Sequence, residues 1–395
     1  MTDHHTSSRR WVVLGLGVLA QAAQAVLVNG TAFLIPTLHD ESGLSLAQAG
    51  TLASAPVFGV TVTLVAWGAL ADRYGERLVL TAGLALAAVA TAAAAVTTST
   101  PTLAVLLALG GGAAAAANAA SGRVVVGWFP PDQRGLAMGI RQMSVPLGVA
   151  LAAMTMPQLA RDHGIGWALA FPAVVCAVAA AACAIGITDP PRPERHHAAE
   201  LGLLDNPYRR SNTLLRIHAT SVLLVVPQYV VWTYALVWLV TDRGWAESAA
   251  GLVITASQFL GAGGRVAAGV WSDRVGSRLR PLRVVAVSVV TTMAALAAVA
   301  ATDSAIAVAL LVVASVVTVA PNGLAFTAVA EIAGPYWGGR ALGVQNTGQF
   351  VAAAAVGPVF GAVIGTVGFP VAFAVAALVP ALGIPLVPPD PRDRA

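Results

Sequence analysis

Three features of the amino-acid sequence predict an all-α membrane protein whose twelve transmembrane helices form two pseudo-symmetric six-helix bundles. They are long runs without a charged side chain, a one-sided distribution of arginine, and an internal repeat. The chain has 395 residues, 57% apolar and 10% charged, and a mean hydropathy of +0.77. A soluble domain carries about a quarter charged residues, so a water-soluble globule is excluded. Residues 11–38, 42–71, 78–122, 164–188, 304–330 and 341–389 contain no Asp, Glu, Lys or Arg. A helix needs about 20 apolar residues to cross the hydrocarbon layer. Residues 78–122 and 341–389 therefore hold two spans each, with turns near Ser99-Thr100-Pro101 and 365–370.

In chain order, spans are expected near 11–36, 45–70, 78–97, 101–126, 136–160 and 165–187, then near 214–240, 247–270, 283–301, 304–329, 340–364 and 369–387. The first six make an N-terminal bundle over 1–188 and the last six a C-terminal bundle over 214–395. Residues 189–213, with Pro190, Pro191, Pro193 and Tyr208-Arg209-Arg210, have the composition of a surface linker. The first span is far longer than a signal-peptide core and lacks a small-residue cleavage site, so it is expected to remain in the protein.

All 22 basic residues are arginine. With both termini in the cytoplasm, that side holds 17 of them, Arg392 and Arg394 included, against Arg161 and Arg243 on the other. The positive-inside rule selects this orientation, which for a bacterial chain means the cytoplasmic membrane. The pI near 9.6 thus marks orientation and implies no nucleic-acid partner. Trp11, Trp128, Trp167, Trp245, Trp271 and Trp337 fall near span ends, where indole rings favour the headgroup region; Trp238 is assigned to the same belt. Cys176 and Cys183 lie seven residues apart on one helix, about 10 Å at the helical rise, too far to bridge.

Gly68-Ala69-Leu70-Ala71-Asp72-Arg73-Tyr74-Gly75-Glu76-Arg77 after span 2 is echoed 201 residues later by Gly269-Val270-Trp271-Ser272-Asp273-Arg274-Val275-Gly276-Ser277-Arg278 after span 8. At a shift of 204, Asn118 pairs with Asn322, Pro131 with Pro335, Gly135 with Gly339 and Gly139 with Gly343. Two six-helix repeats explain both correspondences. The repeated loop resembles the signature of the major facilitator superfamily, and the span count, linker and repeat extend the resemblance over the whole chain. It implies two helix bundles around a central cavity that work by alternating access, with a monomer as the working unit. It also implies that Asp72, Arg73, Gly75, Arg77, Asp273, Arg274, Gly276 and Arg278 form a latch on the cytoplasmic side. Independently of the family, both aspartates can sit against a helix N-terminus and pair with arginines, while Gly75 and Gly276 permit a tight turn.

Substrate chemistry is expected from polar groups within the spans, where charge is costly. None of the 18 acids falls near a predicted midplane; Glu331, at the end of span 10, is closest and reads as a loop ion-pair partner. Three arginines do lie within spans. Arg123 is close enough to the exit of span 4 to snorkel, whereas Arg141 and Arg265 are deep: Arg265 precedes Asp273 by eight residues, about 12 Å at the helical rise. The family arrangement packs spans 5 and 8 together, which brings Arg141 and Arg265 to one cavity wall as an anion site. Gly264-Arg265-x-x-x-Gly269 resembles span 8 of the carboxylate- and nitrate-carrying branches. Gly139-Ile140-Arg141-Gln142 with Pro146-Leu147-Gly148 resembles the cyanate and nitroimidazole group. Around them, Gln21, Gln24, Asn118, Asn322 and Asn346 are candidate hydrogen-bonding groups, together with Gln228, Gln258, Gln345 and Gln349. Tyr229 and Trp232, i and i+3 on span 7, form a candidate aromatic wall.

The expected function is secondary transport of a small organic anion, a monocarboxylate foremost, with protons or a counter-anion as possible co-substrates and membrane lipid as the only other partner. The alternative is export of neutral or amphipathic molecules, including drugs, with the arginines purely structural. Drug antiporters of this size carry an acid in span 1 and G-P-x-x-G in span 5, where this chain has Gln21 and Gln24, and Arg141-Gln142. An enzyme is not expected: G-x-x-x-x-G-K-[ST] is impossible without lysine, and no metal-spaced His/Cys cluster exists. No cofactor and no metal are expected.

Overall fold

The structure, a computed structural model, describes residues 2–40, 43–302 and 304–390. Glu41, Asp303, Arg392, Asp393 and Arg394, counted above, lie outside the described residues. By packing, the chain divides into two compact units. The first takes the chain through Phe129, then Met143–Asp205 and Ala333–Thr347; the second takes Pro130–Gln142, Asn206–Ile332 and the chain from Gly348 onward. Residues 130–142 and 333–347 thus pack with helices from the other half of the sequence.

In the first unit, span 1 is Thr2–Gly30, continued by a tight turn Thr31–Leu34 and a short helix Ile35–Asp40. Span 2, Leu46–Tyr74, starts at a capping box: Ser45 Oγ accepts from Gln48 N at 3.3 Å and Gln48 Oε1 accepts from Ser45 N at 2.9 Å. Spans 3 and 4 are Glu76–Val96 and Thr100–Trp128. Span 4 is buried along most of its length, and its Gly110–Gly112 and Ala114–Ala117 stretches let neighbouring backbones come close. The rest of span 5, Ser144–His163, and span 6, Ile165–Gly186, complete this part.

The second unit opens with Arg134–Arg141, the first two turns of span 5. Span 7 is Thr213–Val237, ending in a widened turn Trp238–Asp242. Span 8, Glu247–Val275, is followed by span 9, Leu279–Val299. Span 10 runs as Ala305–Val317 and Pro321–Ala333, interrupted where Pro321 withholds an N–H. Gly338–Ala381 breaks at Gly368 (φ +82°), inside the predicted turn, into span 11 (338–367) and span 12 (369–381). Among the described residues ten segments are long and apolar enough to cross a membrane; Gly338–Leu386 counts among them as one and Glu247–Val275 is not among them. Dividing the former and adding the latter gives the predicted twelve helices. Bulky apolar side chains such as Phe58, Val89, Ile185, Leu252 and Phe259 point outward, as a lipid-facing surface requires.

Trp238 corrects an expectation. It is completely buried, edge-on to Phe373 at 5.5 Å with the Arg243 guanidinium 4.6 Å from its ring centre. Phe373, distant in sequence, packs against it, and span-end position alone could not reveal that contact. Trp11 and Trp167 are exposed at span ends, as a belt residue should be, and both cysteines are free and buried.

Gly75 joins spans 2 and 3 at φ +95°, and a Cβ there would run into the Asp189 carboxylate. Gly75→Ala should lower stability by about 1–3 kcal/mol, the range for a strained backbone. Gly251→Ala, a helical position with nothing within 4 Å, should be neutral or slightly stabilising. Thermal unfolding midpoints of the two variants in detergent check the contrast.

Candidate functional site

The two aspartates of the repeated loop each seal the start of a distant helix. Asp72 Oδ1 accepts from Gly339 N at 2.7 Å, and Oδ2 from Arg340 N at 3.0 Å and Arg340 Nε at 3.1 Å. Asp273 Oδ1 accepts from Gly135 N at 2.9 Å and Oδ2 from Leu136 N at 2.8 Å. The first N–H groups of a helix lack intrahelical partners and carry the positive end of its dipole, so a carboxylate there answers both needs. The approach depends on missing side chains. A Cβ on Gly339 would overlap the Gly68 carbonyl oxygen, and one on Gly135 the Gly269 carbonyl oxygen.

Arginines complete both sites. Arg123 Nη1 lies 2.8 Å from Asp72 Oδ1 and its Nη2 2.6 Å from Glu76 Oε1; Arg192 Nη2 reaches Glu76 Oε2 at 2.8 Å. Asp189 Oδ1 accepts from Glu76 N at 2.7 Å and Arg77 N at 2.8 Å, capping span 3, while Arg77 Nε donates to Ala184 O at 2.9 Å. In the second unit Arg278 Nη1 lies 2.6 Å from Asp273 Oδ1 and its Nη2 3.2 Å from Glu331 Oε1, which Arg134 Nη1 also approaches at 3.3 Å. Burial disfavours charge on Arg278, but Glu331 and Asp273 outweigh it and raise its pKa above the ordinary arginine value. Gly276 (φ +66°) closes span 8 in the left-handed conformation. Arg73, 5.2 Å from the Tyr74 ring, and Arg274 are exposed. Arg123, a within-span arginine, belongs to this network, and Glu331 is the ion-pair partner its position suggested. Sequence reasoning missed Glu76, Asp189 and Arg192 as members, because no spacing rule ties the linker to the loop.

The deep arginines meet in the second unit through one residue. Arg141 Nη1 donates to Gln142 Oε1 at 2.8 Å, and Arg265 Nη1 donates to the Gln142 carbonyl at 2.8 Å. The Arg141 guanidinium lies 5.7 Å from the Phe326 ring centre and that of Arg265 5.9 Å from Trp232. Tyr229 packs edge-on against Trp232 at 5.4 Å. Asn322 Nδ2 donates to Gln228 Oε1 at 2.9 Å, and Gln349 Nε2 donates to Asn322 Oδ1 at 3.3 Å and Ser221 Oγ at 2.7 Å. Gln228 and Trp232 share a face of span 7, and Asn322 and Phe326 one of span 10. Two guanidiniums, three aromatic rings and four amides therefore form one connected set. Within it, Arg265 is only 5% exposed and makes no ion pair among the described residues. Its Nε and the Trp232 Nε1 are buried without an acceptor. Gln142 and Phe326, absent from the sequence-derived candidates, are the residues that connect this set.

The remaining candidates, apart from Gln258 on span 8, lie in the first unit. Gln21 Nε2 donates to Asn118 Oδ1 at 2.8 Å, and Ser121 Oγ donates to Gln21 Oε1 at 3.4 Å. Gln24 is buried. Asn346 Nδ2 donates to the Leu342 carbonyl on its own helix at 2.8 Å. Among the described residues no group of three His, Cys, Asp or Glu could hold a metal ion.

The sequence profile of the Major Facilitator Superfamily matches residues 17–356, and the chain belongs to that family of transporters. It is 50% identical over 379 residues, 96% of this chain and 85% of the other, to the uncharacterized MFS-type transporter Rv2994 of Mycobacterium tuberculosis. It is 32% identical over 162 residues to the probable anion transporter 4 of Arabidopsis thaliana chloroplasts (40% of this chain, 30% of the other). It is also 26% identical over 365 residues to the probable sulfoacetate transporter SauU of Cupriavidus necator (84% and 82%). In fold it is similar to the proton:xylose symporter XylE, with a TM-score of 0.78 at 15% identity over 96% of this chain and 95% of the other. The human organic anion transporter MFSD10 gives 0.75 at 17% identity over 96% and 99%.

Because the Asp72 carboxylate is taken up by a helix start and by Arg123 and Arg340, Asp72→Asn should slow turnover yet leave equilibrium substrate binding within about threefold. Transport rate and binding, measured on the same preparation, separate the two; loss of binding in a folded variant would contradict this division.

Proposed function

We propose that the protein is a secondary active transporter of a small organic anion, a monocarboxylate foremost, working by alternating access across the cytoplasmic membrane with both termini inside. One observation carries the reading: Arg265 is a buried cation with no carboxylate partner and an open Nε–H, held beside Trp232. A buried charge left uncompensated costs several kcal/mol, and a substrate carboxylate would relieve that cost through charge-assisted hydrogen bonds. Arg141, joined to it through Gln142, adds a second positive charge to the same set. The relatives named for anions and sulfoacetate support an anionic substrate.

In this reading residues 1–188 and 214–395 move as two bundles joined by 189–213. Asp72, Arg73, Gly75 and Arg77, with Asp273, Arg274, Gly276 and Arg278, gate the cytoplasmic side. Gln21, Gln24, Asn118, Tyr229, Trp232, Asn322 and Asn346 assist substrate binding, Asn346 once its bond to its own helix opens. An inside-negative potential opposes anion entry by about 2.3 kcal/mol per charge per 100 mV. Import therefore needs a counter-anion or a proton travelling with the substrate, and export needs neither.

A guanidinium offers a planar fork that an ammonium cannot copy. Arg265→Lys should weaken anion binding by roughly 1.5–3 kcal/mol, the range for hydrogen bonds to charged groups, and Arg265→Gln by at least as much. Arg141→Gln should act in the same direction to a smaller extent, and neutral analogues of the same shape should lose little. Binding isotherms of labelled anions to purified variants test this. Wild-type affinity for every anion in both glutamine variants would sink the reading and favour export of neutral or amphipathic molecules.

A further inference from the structure

A cavity of about 550 Å³ lies in the first unit, on the face that carries the arginine-rich loops. Three separate pieces of chain build it. The end of span 2 supplies Asp72 and Arg73, the linker supplies Arg195 and Leu204, and the start of span 11 supplies Trp337 and Arg340. Its walls carry three guanidiniums against one carboxylate. That carboxylate is shared: Asp72 accepts from Arg123 and Gly339 N outside the cavity and from Arg340 in its wall, so it offsets one of the three guanidiniums and leaves two. Arg73 and Arg195 make no ion pair among the described residues. Two further contacts fix the walls: Trp337 Nε1 donates to the Leu204 carbonyl at 3.0 Å, and the Arg340 guanidinium stacks 4.1 Å from the Trp337 ring centre.

The positive-inside tendency accounts for arginines on this face in general, yet it does not account for this cavity. The second unit has a cavity of about 770 Å³ at the corresponding aspartate, Asp273, and it is lined by four acids and two arginines. The same position in the repeat is net negative there and net positive here. Three guanidiniums from three elements match the acceptor oxygens of a phosphate group. The volume lies within the ordinary range for small-molecule pockets, about 300–1,000 Å³, which leaves space for an attached organic group along Ala69 and Leu204.

We propose that this cavity binds a phosphate ester, its phosphate seated among Arg73, Arg195 and Arg340. Such a ligand bridges the loop after span 2, the linker and the start of span 11, and so strengthens the grip of Asp72 on Gly339 and Arg340. The site lies outside the Arg265 set and does not depend on the anion reading of the transport site. A phosphate ester reaches this face either as the headgroup of an anionic lipid or as a soluble metabolite, and the two sources are separable.

The test measures the thermal unfolding midpoint in phosphate-free buffer in two arms. One titrates glycerol 3-phosphate into detergent-solubilised protein against chloride at matched ionic strength. The other compares nanodiscs of phosphatidylcholine with nanodiscs containing phosphatidylglycerol. A saturable rise in the first arm identifies a soluble ester and a rise in the second a headgroup; either supports the site. In the responding arm, Arg195→Gln and Arg73→Gln, two exposed positions, should each need at least tenfold more ligand, with Arg195→Lys in between. No rise in either arm beyond the chloride control overturns the proposal. So does a wild-type response in both glutamine variants.

Discussion

A guanidinium withdrawn from water has to find acceptors, and in a membrane protein it cannot borrow them from solvent. Much of this structure follows from how each buried arginine meets that demand. Arg123 sits between Asp72 and Glu76, and Arg278 between Asp273 and Glu331. These cations are neutralised within the protein, and their sites read as structure and gating. Arg265 is equally buried but has one backbone carbonyl and the face of an indole. The same constraint that explains the first two arginines leaves the third without an acidic partner among the described residues, which on the proposed reading the substrate supplies.

The two repeats reach the same end by different charges. Each places an aspartate on the first N–H groups of a helix from the opposite half of the sequence, at a backbone contact that only glycine permits. In the first unit the supporting base is inside span 4, Arg123, and the supporting acid opens span 3, Glu76. In the second the acid, Glu331, is on a span and the base, Arg278, on the loop. Reversing the pair preserves the attraction, since it depends only on the product of the charges. The repeat thus keeps the aspartate caps, while the acid and base that support them stand at positions that do not correspond, Ser277 matching Glu76 at the 201-residue shift. It does not keep the surrounding field, and the cavities beside Asp72 and Asp273 carry opposite net charge.

Most of the fold was legible because it depends on features local to the chain. Uncharged runs gave the spans, and Gly75 marks a turn whose positive φ the backbone shows. The aspartate caps were also foreseeable, since the chemistry of a carboxylate at a helix N-terminus is local even when the helix is distant. What escaped depends on contacts between segments far apart in sequence. Trp238 looked like a belt residue until Phe373 and Arg243 covered it. Asp189 and Arg192 looked like linker. Gln142 counted as part of a motif and as a departure from drug antiporters, and not as a site residue, although its side chain meets Arg141 and its backbone meets Arg265. Arg141 and Arg265 themselves stood out because depth within an apolar run is readable from sequence, whereas the identity of a partner across helices is not.

The central claim is that the charge on Arg265 selects an anionic substrate. Counterflow in proteoliposomes tests it most directly, with purified protein, a panel of labelled mono- and dicarboxylates, sulfonates and their neutral amides, and unlabelled compound inside. The account predicts counterflow for at least one small carboxylate or sulfonate and none for its amide of the same shape. Counterflow of the neutral compounds with no response to any anion would contradict it.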